Sequence, residues 1–142
     1  MAPNASRTVP RPIHPFHAVL LAATLPLFLG GLLSDVAYSN SYEIQWINFA
    51  AWLIAGGMVF TGLALLWAFT ALLRADRRRG RPLLYFLLLL GVFAIGLVDS
   101  FQHARDAWAT MPASLVLSAI VALLALAATW VGFSSLRAGE TK

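Results

Sequence analysis

The sequence predicts an all-α integral membrane protein: an antiparallel four-transmembrane-helix bundle with cytoplasmic N- and C-termini. Three observations carry the prediction. Hydrophobic residues are 60% of the chain and charged ones 11%, far below the roughly 25% charged share of a soluble domain. Mean hydropathy is +0.77, so most side chains prefer lipid to water. The apolar residues also fall into four runs, each near the roughly 20 residues that cross about 30 Å of hydrocarbon as a helix. At this length a single membrane domain over 1–142 is expected.

The helices are expected at about 16–37, 44–75, 82–106 and 112–136, with a basic cytoplasmic loop at 76–81. Their short connections favour antiparallel neighbours. Arg7 and Arg11 precede the first run, as they would in a signal peptide. However, a charged Asp35 holds the minus-three position of the only plausible cut, and Pro26, Gly30 and Gly31 read as kink and packing residues. The run therefore reads as a retained helix. In the second run Ala51 and Ala55 are spaced for close helix contact, as are Ala128 and Gly132 in the fourth.

Orientation follows from the basic residues. Arg7, Arg11, Arg74, Arg77, Arg78, Arg79, Arg81, Arg137 and Lys142 flank one side of the spans, and Arg105 alone lies on the other. Basic residues stay cytoplasmic, so the chain reads as a multi-pass membrane protein with both termini in the cytoplasm. The aromatic residues agree: Tyr38, Tyr42, Trp46, Trp52 and Trp108 mark the outer interface, while Trp67, Tyr85 and Trp130 lie toward the inner one. The net charge of +4 is thus an orientation signal and not a nucleic-acid patch. The absence of cysteine excludes disulfides, thiolate metal sites, iron–sulfur ligation and covalently attached haem c. A weak internal repeat, at offsets of 63–65 residues, sets Gly31 to Asp35 beside Gly96 to Ser100, Trp67 beside Trp130, and Arg74 beside Arg137. It would give Asp35 and Asp99 equivalent places at the outer ends of spans one and three.

The polar residues concentrate at Leu97 to Pro112. On a helix Asp99, His103 and Asp106 share one face at i, i+4 and i+7, and Arg105 points elsewhere. Asp35 and Asp99 end helices whose dipole is already negative there, so each wants a cation or a donor, and His103 and Arg105 are the candidates. Asp35, Asp99, His103, Arg105, Asp106 and Trp108 form an outer polar cluster with two readings. One is a hydrogen-bonded site able to pass protons or hold a polar ligand. The other is a solvated loop of caps and weak ion pairs. His14 and His17, at the cytoplasmic mouth, are either potential ligands or ordinary interfacial residues. Roughly 30 Å of hydrocarbon separates them from His103, which opposes one haem bridging the two ends. No metal site and no catalytic residue is expected, and no intrinsic cofactor, with haem b or quinone as the alternatives.

Ile13-His14-Pro15, Asp35, Gln45-Trp46-Ile47-Asn48-Phe49-Ala50, His103-Ala-Arg105-Asp106-Ala-Trp108 and Met111-Pro112 together give the chain a family likeness. Over about residues 12–135 it resembles the small bacterial membrane proteins catalogued as domain of unknown function twenty-two thirty-one. The resemblance transfers no activity. It implies a place beside respiratory electron transfer, since similar proteins accompany periplasmic quinoprotein sugar dehydrogenases and related domains are joined to c-type cytochromes. The function expected is an accessory or anchor subunit without its own catalysis, meeting a periplasmic dehydrogenase or cytochrome through its outer polar face. The alternatives are a small proton-coupled transporter using Asp35, Asp99 and His103, or a purely structural membrane protein that could form a homo-oligomer. A carrier needs polar residues in mid-span, and the chain offers only Thr24, Thr61, Ser118 and Thr129 there.

Overall fold

The computed structural model describes residues 13–74 and 80–134. Arg7, Arg11, Arg77, Arg78, Arg79, Arg137 and Lys142, which carry most of the orientation signal, lie outside the described residues. Four helices are long and apolar enough to cross a membrane. They are α1 (Pro15–Ser41), α2 (Ile44–Arg74), α3 (Gly80–His103) and α5 (Ala113–Ser134), with a single turn, α4 (Ala107–Thr110), before the last. There is no strand among the described residues.

Helix α1 starts where Pro15, at N1, loses no useful hydrogen bond. The ring Nδ1 of His14, its N-cap, accepts the Phe16 N–H at 3.3 Å. It ends at Tyr42, whose left-handed backbone (φ 55°) lets its N–H donate to the Tyr38 carbonyl at 2.7 Å. Helix α3 stops at His103, three residues before the expected end at 106. Asp106 instead caps α4, without a side-chain hydrogen bond.

Helix α1 packs on α2 and α5, and so does α3, which leaves α1 and α3 facing each other diagonally. Each diagonal then joins the two helices that the repeat would equate. The bundle has a proximal end, near Ile13 and Ser134, and a distal end, holding the α1–α2 and α3–α5 connections.

The buried stripe of α2 is Ile47, Ala50, Ile54, Gly57, Thr61, Ala64 and Ala68. Its alternating steps of three and four are those of helices crossing at a shallow left-handed angle. Its small side chains let neighbouring backbones approach, while Trp52, Val59 and Leu66 face outward. Mid-bundle, Phe28 fills the space left by two glycines. A Cβ on Gly57 would stand 3.0 Å from its ring, and one on Gly96 3.5 Å from it and 2.7 Å from Met58 Sδ. With Ile54, Leu89, Val92 and Val121, all at most 1% exposed, Phe28 forms an apolar plug across the core.

Gly132 is equally committed. A Cβ there would collide with Leu21 and come within 3.0 Å of Tyr85. Gly132→Val is expected to cost about 1–3 kcal/mol as overpacking. Gly91→Ala, where the nearest side-chain atom is 3.8 Å away, should change little. Thermal unfolding in detergent compares the two.

Candidate functional site

Three of the outer-cluster residues meet inside the bundle, and three do not. Asp35 comes from α1, Asp99 and His103 from α3; Asp35 and Asp99 are wholly buried and His103 is nearly so. The spacing of Asp99 and His103 puts both on one helix face, so the imidazole folds back over its own helix end. His103 Nδ1 lies 2.9 Å from the Asp99 carbonyl oxygen and 3.2 Å from Asp99 Oδ1. Its Nε2 lies 2.8 Å from Asp35 Oδ1 across the diagonal. Ser118 of α5 closes the ring: its Oγ is 2.5 Å from Asp35 Oδ2 and 3.1 Å from Asp99 Oδ2. In the sequence Ser118 is only a weak mid-span polar residue. Tyr38, Thr110 and Ser114 are buried as well.

Arg105 is exposed and donates to Gln102 Oε1 at 3.3 Å. Asp106 is exposed at the start of α4. Trp108 is 80% exposed and stacks on Tyr42, with ring centroids 6.3 Å apart. The expected offset of carboxylate charge therefore falls to His103, with Ser118 added, and Arg105 takes no part in it.

The hydrogen inventory of the cluster is informative. The Asp99 carbonyl can only accept, so Nδ1 carries a hydrogen. Nε2 and Asp35 Oδ1 then share one further proton, held by either atom. Ser118 has a single hydroxyl hydrogen yet touches two carboxyl oxygens, so satisfying both needs a proton on one of the acids. With these hydrogen bonds made, the cluster carries two protons beyond a neutral imidazole and two carboxylates, and its net charge is zero; the buried Asp99 Oδ1 has no hydrogen-bond partner among the described residues. Removing one leaves a single negative charge in a region of low dielectric. Both ring nitrogens of His103 are engaged, so neither is open to a metal or haem iron.

His14 and His17 lie at the proximal end. His17 Nε2 is 2.8 Å from Tyr85 Oη, and both histidine rings lie against Trp67, at 5.0 and 5.8 Å between centroids. Tyr85 and His103 sit 18 residues apart on one helix, roughly 27 Å at 1.5 Å per residue. The Phe28 plug lies between these two polar ends. Thr24 and Thr61 are buried; Thr24 donates to its own helix at Leu20, and the Thr61 hydroxyl has no partner among the described residues.

The fold and this cluster define a multi-pass membrane protein with ionisable groups sealed beneath one end of an apolar bundle. The family described as "Predicted membrane protein (DUF2231)" matches residues 13–136, and the chain belongs to it. Comparison with curated proteins and with solved structures finds no match.

Proposed function

We propose that this protein is an accessory subunit of a bacterial inner membrane that takes up and releases a proton at its distal end, through Asp35, Asp99, His103 and Ser118. The observation that carries the reading is the shared Ser118 hydroxyl. Two carboxyl groups lie within reach of its one hydrogen, so a further proton lets Ser118 bond to both at once. Releasing that proton breaks a single hydrogen bond. Ionisable residues inside membrane helices are costly and usually functional, proton relays among them. The cluster lies near the helix ends, so one aqueous phase serves it. The apolar plug supports exchange on one side over transport across the membrane.

The distribution of arginine and lysine supports a periplasmic distal end and cytoplasmic termini. Arg105, Asp106 and Trp108, exposed there, then meet the dehydrogenase or cytochrome of that compartment that the family resemblance implies. Proton exchange beside such a partner suits an electron-transfer complex.

The chain has no cysteine, so a single Ser41→Cys serves as a reporter. A membrane-impermeant maleimide applied to spheroplasts is expected to label Ser41→Cys and not Arg78→Cys. With a pH-sensitive fluorescein on Ser41→Cys, the titration of the dye should shift when Asp35→Asn and Asp99→Asn are added, because the charge beneath it no longer changes. Identical titrations would overturn proton exchange, and labelling at Arg78→Cys alone would overturn the orientation.

A further inference from the structure

The proximal end holds a second polar locus that proton exchange at the distal end does not use. A cavity of about 270 Å³ opens between α1, α2, α3 and α5, lined by His14, His17, Trp67, Ala71, Arg81 and Tyr85 among others. His17 is only 7% exposed, and its Nδ1 has no hydrogen-bond partner among the described residues. A buried polar atom left unmatched costs roughly 1–3 kcal/mol, a cost that a bound ligand removes.

We propose that this cavity seats the ring of a lipid-soluble quinone, with one ring oxygen on His17 Nδ1. Four features select that class. The volume is slightly below the roughly 300–1,000 Å³ of ligand pockets, which suits one small ring system with its tail outside in lipid. Trp67 and Tyr85 supply flat aromatic walls. His17 is the third residue of α1, at the membrane margin, where an amphiphile reaches it from the bilayer. The fourth is the Tyr85–His17 pair itself. When the Tyr85 hydroxyl donates to Nε2, Nδ1 carries the ring hydrogen and donates to a quinone carbonyl. When Nε2 donates to Tyr85 Oη, Nδ1 accepts from a quinol hydroxyl. One tautomeric change fits both redox forms of the ligand.

A phosphate headgroup fits less well. Among the described residues Arg81 is the only lysine or arginine lining the cavity, and its guanidinium donates to Ser134 Oγ at 3.2 Å. Phosphate is held best by several charged donors at once.

The test uses the full chain in nanodiscs of a zwitterionic lipid, titrated with a short-chain dimethoxy-methyl-benzoquinone while tryptophan fluorescence is read. A saturable quench is expected. It should disappear in Trp67→Phe and persist in Trp130→Phe, whose ring is lipid-facing. His17→Phe should weaken binding about three- to tenfold, the worth of one hydrogen bond. Ala71→Leu narrows the exposed mouth without touching a polar atom, and should weaken binding even if His17→Phe fails to fold. A quench linear in quinone and equal in all variants means partition into lipid, and overturns the proposal. So does loss of the saturable quench when phosphatidylglycerol is added, which would mark a phosphate site. Neither result bears on the distal cluster.

Discussion

Asp35→Ala is expected to destabilise the protein by about 3–5 kcal/mol, the loss typical of removing one partner from a buried ion pair. Asp35 is wholly buried and reaches both His103 and Ser118, so its removal leaves the imidazole Nε2 facing an empty space and Ser118 with Asp99 alone. Helix α1 thereby loses its hydrogen bonds to both α3 and α5 at the distal end. Asp106→Ala removes the same charge from an exposed position with no side-chain cap and should stay within about 0.5 kcal/mol. Thermal unfolding in one detergent ranks the two. If Asp106→Ala is the more damaging, the polar centre lies at the loop.

A second large effect separates stability from function. Asp35→Leu, Asp99→Val, His103→Leu and Ser118→Ala together replace the whole cluster by apolar side chains. Replacing a buried ionic group entire is often neutral or stabilising by about 1–4 kcal/mol, because no charge is left without a partner. The combined variant is therefore expected to melt at or above the wild-type temperature, although Asp35→Ala alone is severely damaged. It should exchange no proton and fail wherever the protein is needed. A variant that is both stable and fully functional would make the cluster a fastener between helices and nothing more.

The spans were legible because lipid imposes length and hydropathy on any helix that crosses it. Asp35, Asp99 and His103 stood out because charge inside apolar runs has few ordinary explanations, and the four-residue step from Asp99 to His103 shows in the sequence. Asp106 reads as their neighbour only while the third helix is carried on to 106, and Arg105 reads as a partner only because it is a cation at that end of the spans. Ending it at His103 turns both into the loop. Ser118 shows in the sequence only as a weak mid-span polar residue, since a lone serine in a membrane helix is commonplace. Its role comes from α5 packing against α1 and α3 together. The meeting of His17 and Tyr85, 68 residues apart, was hidden for the same reason. Diagonal pairs across a bundle leave no local pattern.

The measurement that bears most directly on the distal site is pH-difference infrared spectroscopy of the membrane-embedded protein, read at the C=O stretch of a protonated carboxyl group. Asp35 and Asp99 are sealed from solvent, so their band should be narrow and distinct from that of exposed acids such as Asp106. As pH rises, the wild type is expected to lose one such band reversibly, and Asp99→Asn should lack that change while Asp106→Asn keeps it. A buried carboxyl band that never changes with pH in the folded protein, or a change that survives in both Asp35→Asn and Asp99→Asn, would contradict proton exchange at this cluster.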